Sequence, residues 1–263
     1  MLTQQSTAKR QKIHRRTLEV DLYSGHKTTI HIVRYDRKTM APRLVSFSEG
    51  VRLLDWCEDN DVQEAMVGGF FLSKTSEILG DLWIEGNKQE TTPVLNPWEG
   101  MRGSAYIDVN SDLFLDYRKE FPSKPYSLLQ AGPMLVRQGH VVDINKDTEG
   151  ISRGAKQFDD DITKGRFPRA AIGINKDFVW SVVCDGRSDM DAGMTLEELA
   201  ATFIMLGATE ALNLDGGGSA TQISGGRMRN HSRGNGRKYL RGRPIYTAIV
   251  FDCQVTNPNY NFR

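Results

Sequence analysis

The stretch Thr195-Leu-Glu-Glu-Leu-Ala-Ala-Thr-Phe-Ile-Met-Leu-Gly-Ala-Thr-Glu-Ala-Leu-Asn-Leu-Asp-Gly-Gly-Gly-Ser-Ala-Thr221 decides how the chain is read. Thr195 and Glu198 form a T-x-x-E capping box: the threonine hydroxyl accepts from a free helical N–H, and the glutamate reaches back to the threonine N–H. Leu196, Leu199, Ala200, Phe203 and Leu206 then recur at helical spacing, and Gly207 is a natural stop. The pattern predicts a helix from Thr195, followed at once by a strand over 210–215. Alternation along that strand sends Leu212 and Leu214 to one face and Ala211, Asn213 and Asp215 to the other. Gly216, Gly217 and Gly218 let the backbone bend with no side chains in the way, and Ser219 adds a hydroxyl.

Successive backbone N–H groups in such a bend can form an anion-binding concavity. A carboxylate beside an anion cradle repels anions when ionised, and that tension is usual where a carboxylate works as acid, base or nucleophile. The plainer alternative is a glycine turn capped by an aspartate. The run is not a phosphate-binding P-loop, since no G-K-[ST] follows, and no G-x-G-x-x-G opens a helix after a strand.

Upstream, 170–174 and 178–184 flank Asn175-Lys-Asp177 and read as a hairpin. Period two places Val179, Ser181, Val183 and Asp185 on one face, and the antiparallel pairing makes Arg169 and Asp185 neighbours. Further strands are predicted over 17–22, 28–35, 105–109, 126–136 and 245–251. Helices are predicted from Ser48 to Asp59 and over 113–120, and a loop over 141–167. With no internal repeat and no clear linker, these elements give one α+β domain, a mixed or antiparallel sheet with packed helices. A basic flexible tail is expected over 1–16 and the domain over 17–263.

The 263 residues carry a net charge of +1, so overall charge points to no polyanionic partner. Cys57, Cys184 and Cys253 are odd in number and widely spaced, which indicates neither a disulfide framework nor a zinc site and fits reduced thiols in the cytosol. Neither a signal peptide nor a membrane-spanning run is read, so a soluble, cytoplasmic location is expected.

Six ordered blocks carry a family resemblance: Gly68-Gly-Phe-Phe71, Gly132-Pro-Met-Leu-Val-Arg-Gln-Gly139, Pro168-Arg-Ala-Ala-Ile-Gly173, Asp185-Gly-Arg187, Gly193-Met-Thr-Leu196 and 213–221. Together the chain resembles the phosphodiester glycosidases over roughly residues 60 to 251. The resemblance implies hydrolysis of a glycosyl-1-phosphate diester at the anomeric C–O bond, with a sugar-phosphate or phosphoglycan as substrate. A phosphate leaving group is a weak base, so it needs charge stabilisation more than protonation. Arg169 and Arg187 are the expected phosphate ligands, with Gly216, Gly217, Gly218 and Ser219 as the cradle and Gly69 and Phe70 beside it. Asp215 and Asp185 would divide the work at the sugar, and Asn213 would bind a hydroxyl or orient Asp215. The family often has Asn before its Gly-Gly-Phe-Phe, where this chain has Val67.

Two other classes stand beside this reading. One is a phosphoglycan or carbohydrate binder that keeps the cradle without turnover, for which Val67 is the supporting feature. The other interacts with nucleic acid through Lys9–Arg16 and a basic loop from Arg227 to Arg243, against which the near-neutral charge argues. The five histidines have no metal spacing and read as surface or packed residues. Asp159-Asp-Asp161 could hold Ca²⁺, but a solvated loop is the simpler expectation, and no cofactor or metal is required.

Overall fold

A computed structural model describes residues 13–95, 99–143, 165–234 and 236–253. Among them the chain is built mainly of strands. The largest sheet runs in the order β1 (His14–Asp21), β2 (Lys27–Asp36), β13 (Phe178–Cys184), β12 (Arg169–Ile174), β14 (Glu210–Asn213), β10 (Met134–Arg137) and β11 (His140–Val141). A second runs β15 (Gln222–Ser224), β4 (Glu64–Val67), β18 (Pro244–Cys253) and β3 (Met40–Arg52). A third runs β6 (Asn87–Lys88), β5 (Leu82–Ile84), β9 (Ser127–Gln130), β7 (Gly103–Ile107) and β8 (Leu113–Tyr117), and β16 (Ser232–Gly234) pairs with β17 (Arg237–Tyr239) as a separate ribbon. All of these pairings are antiparallel.

Strand alternation sorts the core into two layers. From the large sheet Val33, Ile172, Val179, Val183 and Leu212 pack onto the other two sheets through Met66, Val250 and Leu129. Its opposite face, with Ile32, Ala171, Trp180, Val182 and Ala211, packs onto helix α2 (Leu196–Leu206) through Leu196, Leu199 and Phe203. The α2 capping box is present with both bonds, and the helix ends at Gly207 in the left-handed region.

The expected α+β fold with packed helices is therefore corrected to a mostly β fold. The described residues contain two α-helices, α1 (Leu53–Asp59) and α2. The expected helix from Ser48 begins only at Leu53, because β3 runs through Arg52. The expected helix over 113–120 is strand β8 followed by a short 3₁₀ turn. There Leu113 and Leu115 are buried and Phe114 is exposed, a period of two that a five-residue apolar run cannot distinguish from a helical face. Strand β1 begins at His14, inside the segment expected to be a tail, and Arg15 pairs there with buried Glu64. Asp159–Asp161 and most of the expected loop lie outside the described residues.

Candidate active site

The register of the large sheet brings the motif residues to one end. Arg169 opens β12 opposite Cys184, the last residue of β13, and Ala171 of β12 pairs with Asn213, the last residue of β14. Beyond Asn213 the chain leaves this sheet for the end of the second one, where the Asp215 N–H donates to the Gly68 carbonyl at 3.0 Å. Gly68 follows β4 and donates in turn to the Thr247 carbonyl at 2.9 Å. A Cβ on Gly68 would lie 2.6 Å from Thr247 Oγ1, so a residue with a side chain cannot make this approach. The Thr247 hydroxyl also accepts from the Gly69 N–H at 2.9 Å. Glycine at 68 thus joins the two sheets at the point where Asp215 emerges.

Asp215 is half-buried. Desolvation pushes its carboxyl up from an ordinary 3.8 to about 7, against the lowering effects of the Ser219 hydroxyl, the Arg243 charge and the Gly216 N–H. The turn after it is held by Gly217 N–H to Pro168 O at 2.7 Å and Ser219 N–H to Gly216 O at 3.0 Å. Gly217 has φ +55°, and the Arg187 guanidinium lies 3.3 Å from where its Cβ would be. A side chain there would be strained in backbone and would also crowd Arg187. The β16 ribbon runs over the turn, with the Ser232 hydroxyl donating to Gly218 O at 2.5 Å. Arg187 donates to the Arg233 carbonyl at 3.4 Å, and its guanidinium carbon stands 5.2 Å from the centre of the Phe167 ring.

Asp185 is buried beneath this ribbon and is held by two histidines. His31 Nε2 lies 3.0 Å from Asp185 Oδ2. The His231 N–H donates to Oδ1 at 2.6 Å, and His231 Nδ1 lies 3.1 Å from Oδ2. Burial acts to raise the Asp185 pKa, but hydrogen bonds from the His31 ring and the His231 N–H outweigh it and hold the carboxyl below its ordinary 3.8. On its far side, His31 Nδ1 meets the Thr17 hydroxyl at 3.2 Å. Both histidines read from sequence as surface or packed residues; their signal was spatial, since they lie 154 and 46 positions from Asp185.

Other expected site residues are placed differently. Arg169 is buried and donates to the carbonyls of Met194 and Gly165, both at 3.1 Å, so its guanidinium ties loops together beneath Gly216. Asn213 is buried, donates to Gly132 O at 3.2 Å, and its Oδ1 has no hydrogen-bond partner among the described residues. Asn213 and Asp215 therefore do not share one ligand-facing strand edge, because the strand ends between them. Gly69 abuts Leu129, and Phe70 is buried in the core, so the aromatic ring beside the cradle is Phe71. The Arg243 guanidinium carbon lies 5.0 Å from the Phe71 ring centre. Arg243 acts on Asp215, yet its position in a basic loop gave no local sign of that. Within the same loop Arg241 is paired with Asp55 and Glu58 of α1, so the run of cations is partly neutralised in space. Val67 is fully buried in β4 and its N–H donates to Thr221 O at 3.0 Å; its side chain belongs to the core.

The fold matches the catalytic domain of zebrafish N-acetylglucosamine-1-phosphodiester alpha-N-acetylglucosaminidase, auto-inhibited by its pro-peptide, with a TM-score of 0.68 and 19% identity over 94% of this chain and 84% of that one. It also matches a protein of Synechocystis with a TM-score of 0.64 and 18% identity, over 91% of this chain and 62% of that one. No curated protein matches the sequence. The phosphodiester glycosidase family model matches residues 60–252, which contain the glycine turn, Asp185, His231 and Arg243 but not His31. The chain belongs to the phosphodiester glycosidase family, hydrolases of phosphodiester-linked sugars.

Proposed function

We propose that the chain hydrolyses a glycosyl-1-phosphate diester at the anomeric carbon–oxygen bond, with Asp215 as the base that activates the attacking water. The observation that carries this reading is the Asp215 carboxyl, raised to about 7 by desolvation while Arg243 and the donors of Ser219 and Gly216 surround it. A base with a pKa near the working pH is present in its active form and still takes up a proton readily. The leaving phosphate monoester carries the negative charge that develops as the bond breaks. Arg187 and Arg243 on either side of the glycine turn are the groups suited to bind it, since guanidinium offers paired donors to phosphate oxygens.

Asp185 takes a different part. Both of its oxygens are engaged with histidines, so it acts as a positioning residue. It fixes the His231 ring by accepting from Nδ1–H, so that Nε2 donates to the leaving phosphate when the ring carries both protons. Arg169 is assigned to structure, and Asn213 to positioning of the strand end.

Asp215→Asn keeps the shape of the side chain and removes its basicity. On a panel of glycosyl-1-phosphate diesters, kcat should fall on the order of a hundredfold or more while the protein stays folded. The zebrafish relative is named for an N-acetylglucosamine 1-phosphodiester, so that diester is the first member of the panel. A near-normal kcat in folded Asp215→Asn would remove Asp215 from this role.

A further inference from the structure

A cleft of about 690 Å³ opens beside the cradle, between β3, the turn over 72–78, the segment 89–92 and Tyr246 of β18. Its origin is a break in the β3–β18 ladder. Ser46 pairs with Thr247 and Val51 with Ile245, so residues 47–50 of β3 stand opposite Tyr246 alone. Such a bulge lifts one strand out of register and re-aims the side chains around it. Gly50 leaves room for the ring, since a Cβ there would lie 3.1 Å from the Tyr246 hydroxyl.

The cleft and the cradle are joined through a short run of side chains. The Tyr246 ring centre is 4.8 Å from that of Phe71, and Phe71 stacks with Arg243, whose charge acts on Asp215. The turn over 72–78 borders both: Ser73 accepts from Arg243 at 3.4 Å, while Ser76, Glu77 and Ile78 line the cleft. The residue after Tyr246 is Thr247, which fixes Gly68 and Gly69 behind Asp215.

The chemistry of the lining differs from that of the cradle. It contains Glu77 and Glu90 but neither Lys nor Arg, together with serines, threonines, Gln89 and the rings of Phe47 and Tyr246. Acids without cations disfavour a second phosphate. Hydroxyls, an amide and aromatic faces together suit a polyhydroxylated ring, which presents both C–H faces and hydrogen-bonding edges. We propose that this cleft is a second subsite that binds an uncharged sugar unit of the substrate next to the phosphodiester, with Tyr246 as its stacking platform. The inference rests on the proposed function for what occupies the cradle, and what it adds is the place of this subsite in the fold.

The test reads binding in Asp215→Asn protein, which does not depend on turnover. Maltotriose, cellotriose, chitotriose and mannotriose are titrated into isotope-labelled protein, with trigalacturonic acid as the anionic counterpart, and backbone amide resonances are followed. At least one neutral trisaccharide should shift the resonances of 46–48, 76–78 and 89–92 with saturation, and trigalacturonic acid should bind at least about tenfold more weakly. Gln89→Ala and Tyr246→Ala should each weaken the neutral ligand about tenfold, with Gln89→Ala as the arm that leaves the Phe71 stack intact. Absence of shifts with all four neutral sugars would overturn the proposal, as would equal binding of trigalacturonic acid. Failure of the diester panel to be hydrolysed would count against the catalytic reading alone.

Discussion

The His231 ring and the Asp185 carboxylate meet at 3.1 Å, with the His231 N–H on the other oxygen of the same carboxylate at 2.6 Å. One buried carboxylate thus grips both the backbone and the ring of a residue 46 positions away. The His231 side chain is otherwise 58% exposed.

If His231 serves the leaving phosphate, His231→Ala should lower kcat by on the order of a hundredfold. Its melting temperature should change little, because the ring is mostly exposed and the backbone bond to Asp185 survives. Added imidazole should restore part of the rate. An unchanged kcat would reduce the Asp185–His231 contact to a structural one.

The raised pKa of Asp215 has a consequence for stability. In the native state the carboxyl holds its proton up to about 7, while in the unfolded chain it releases it near 3.8. Between these values the native state binds more protons, so the contribution of Asp215 to stability is fully present below about pH 4 and is lost as pH rises through about 7. Asp215→Asn does not titrate. The two proteins should melt alike near pH 4, and the variant should gain on the wild type toward pH 7.5, by up to about 4 kcal/mol for a shift of this size. A constant difference across that range would mean that the native carboxyl is not raised.

Arg169, expected from the sequence to bind phosphate, and Arg243, which was not, should separate. Arg169→Ala removes charged hydrogen bonds to the carbonyls of Met194 and Gly165, the first of them buried, and should cost on the order of 2 kcal/mol of stability. Arg243→Ala should barely alter stability but should lower kcat/KM by about a hundredfold. It should also move the acidic limb of the kcat/KM profile to higher pH, because the Arg243 charge lowers the Asp215 pKa. Denaturant melts and pH–rate profiles of both variants check this. Equal effects of the two substitutions on both readouts would contradict the assignment.

The local parts of this architecture were legible in the sequence. The β12–β13 hairpin, the capping box at Thr195 and the strand into the glycine turn are each written within about twenty residues, where periodicity and turn chemistry act. What failed was of two kinds. Short apolar runs such as Leu113–Tyr117 do not carry enough residues to separate the two periods, and this tipped the fold class toward helix. The candidate site was half legible. Asp215 with its glycines, and Arg187 with Asp185, each stand in a short motif, whereas His31, His231 and Arg243 come near them only through sheet register and the ribbon over the turn. Phe70 packs in the core and Phe71 meets Arg243, and nothing local in the sequence says which ring of the pair faces inward.

The central claim concerns which bond breaks, and hydrolysis in ¹⁸O-labelled water tests it most directly. A glycosyl-1-phosphate diester turned over by the wild-type protein should give free sugar carrying the label at its anomeric hydroxyl and a phosphate monoester without it. Label in the phosphate, with the sugar unlabelled, would mean attack at phosphorus and would contradict the account.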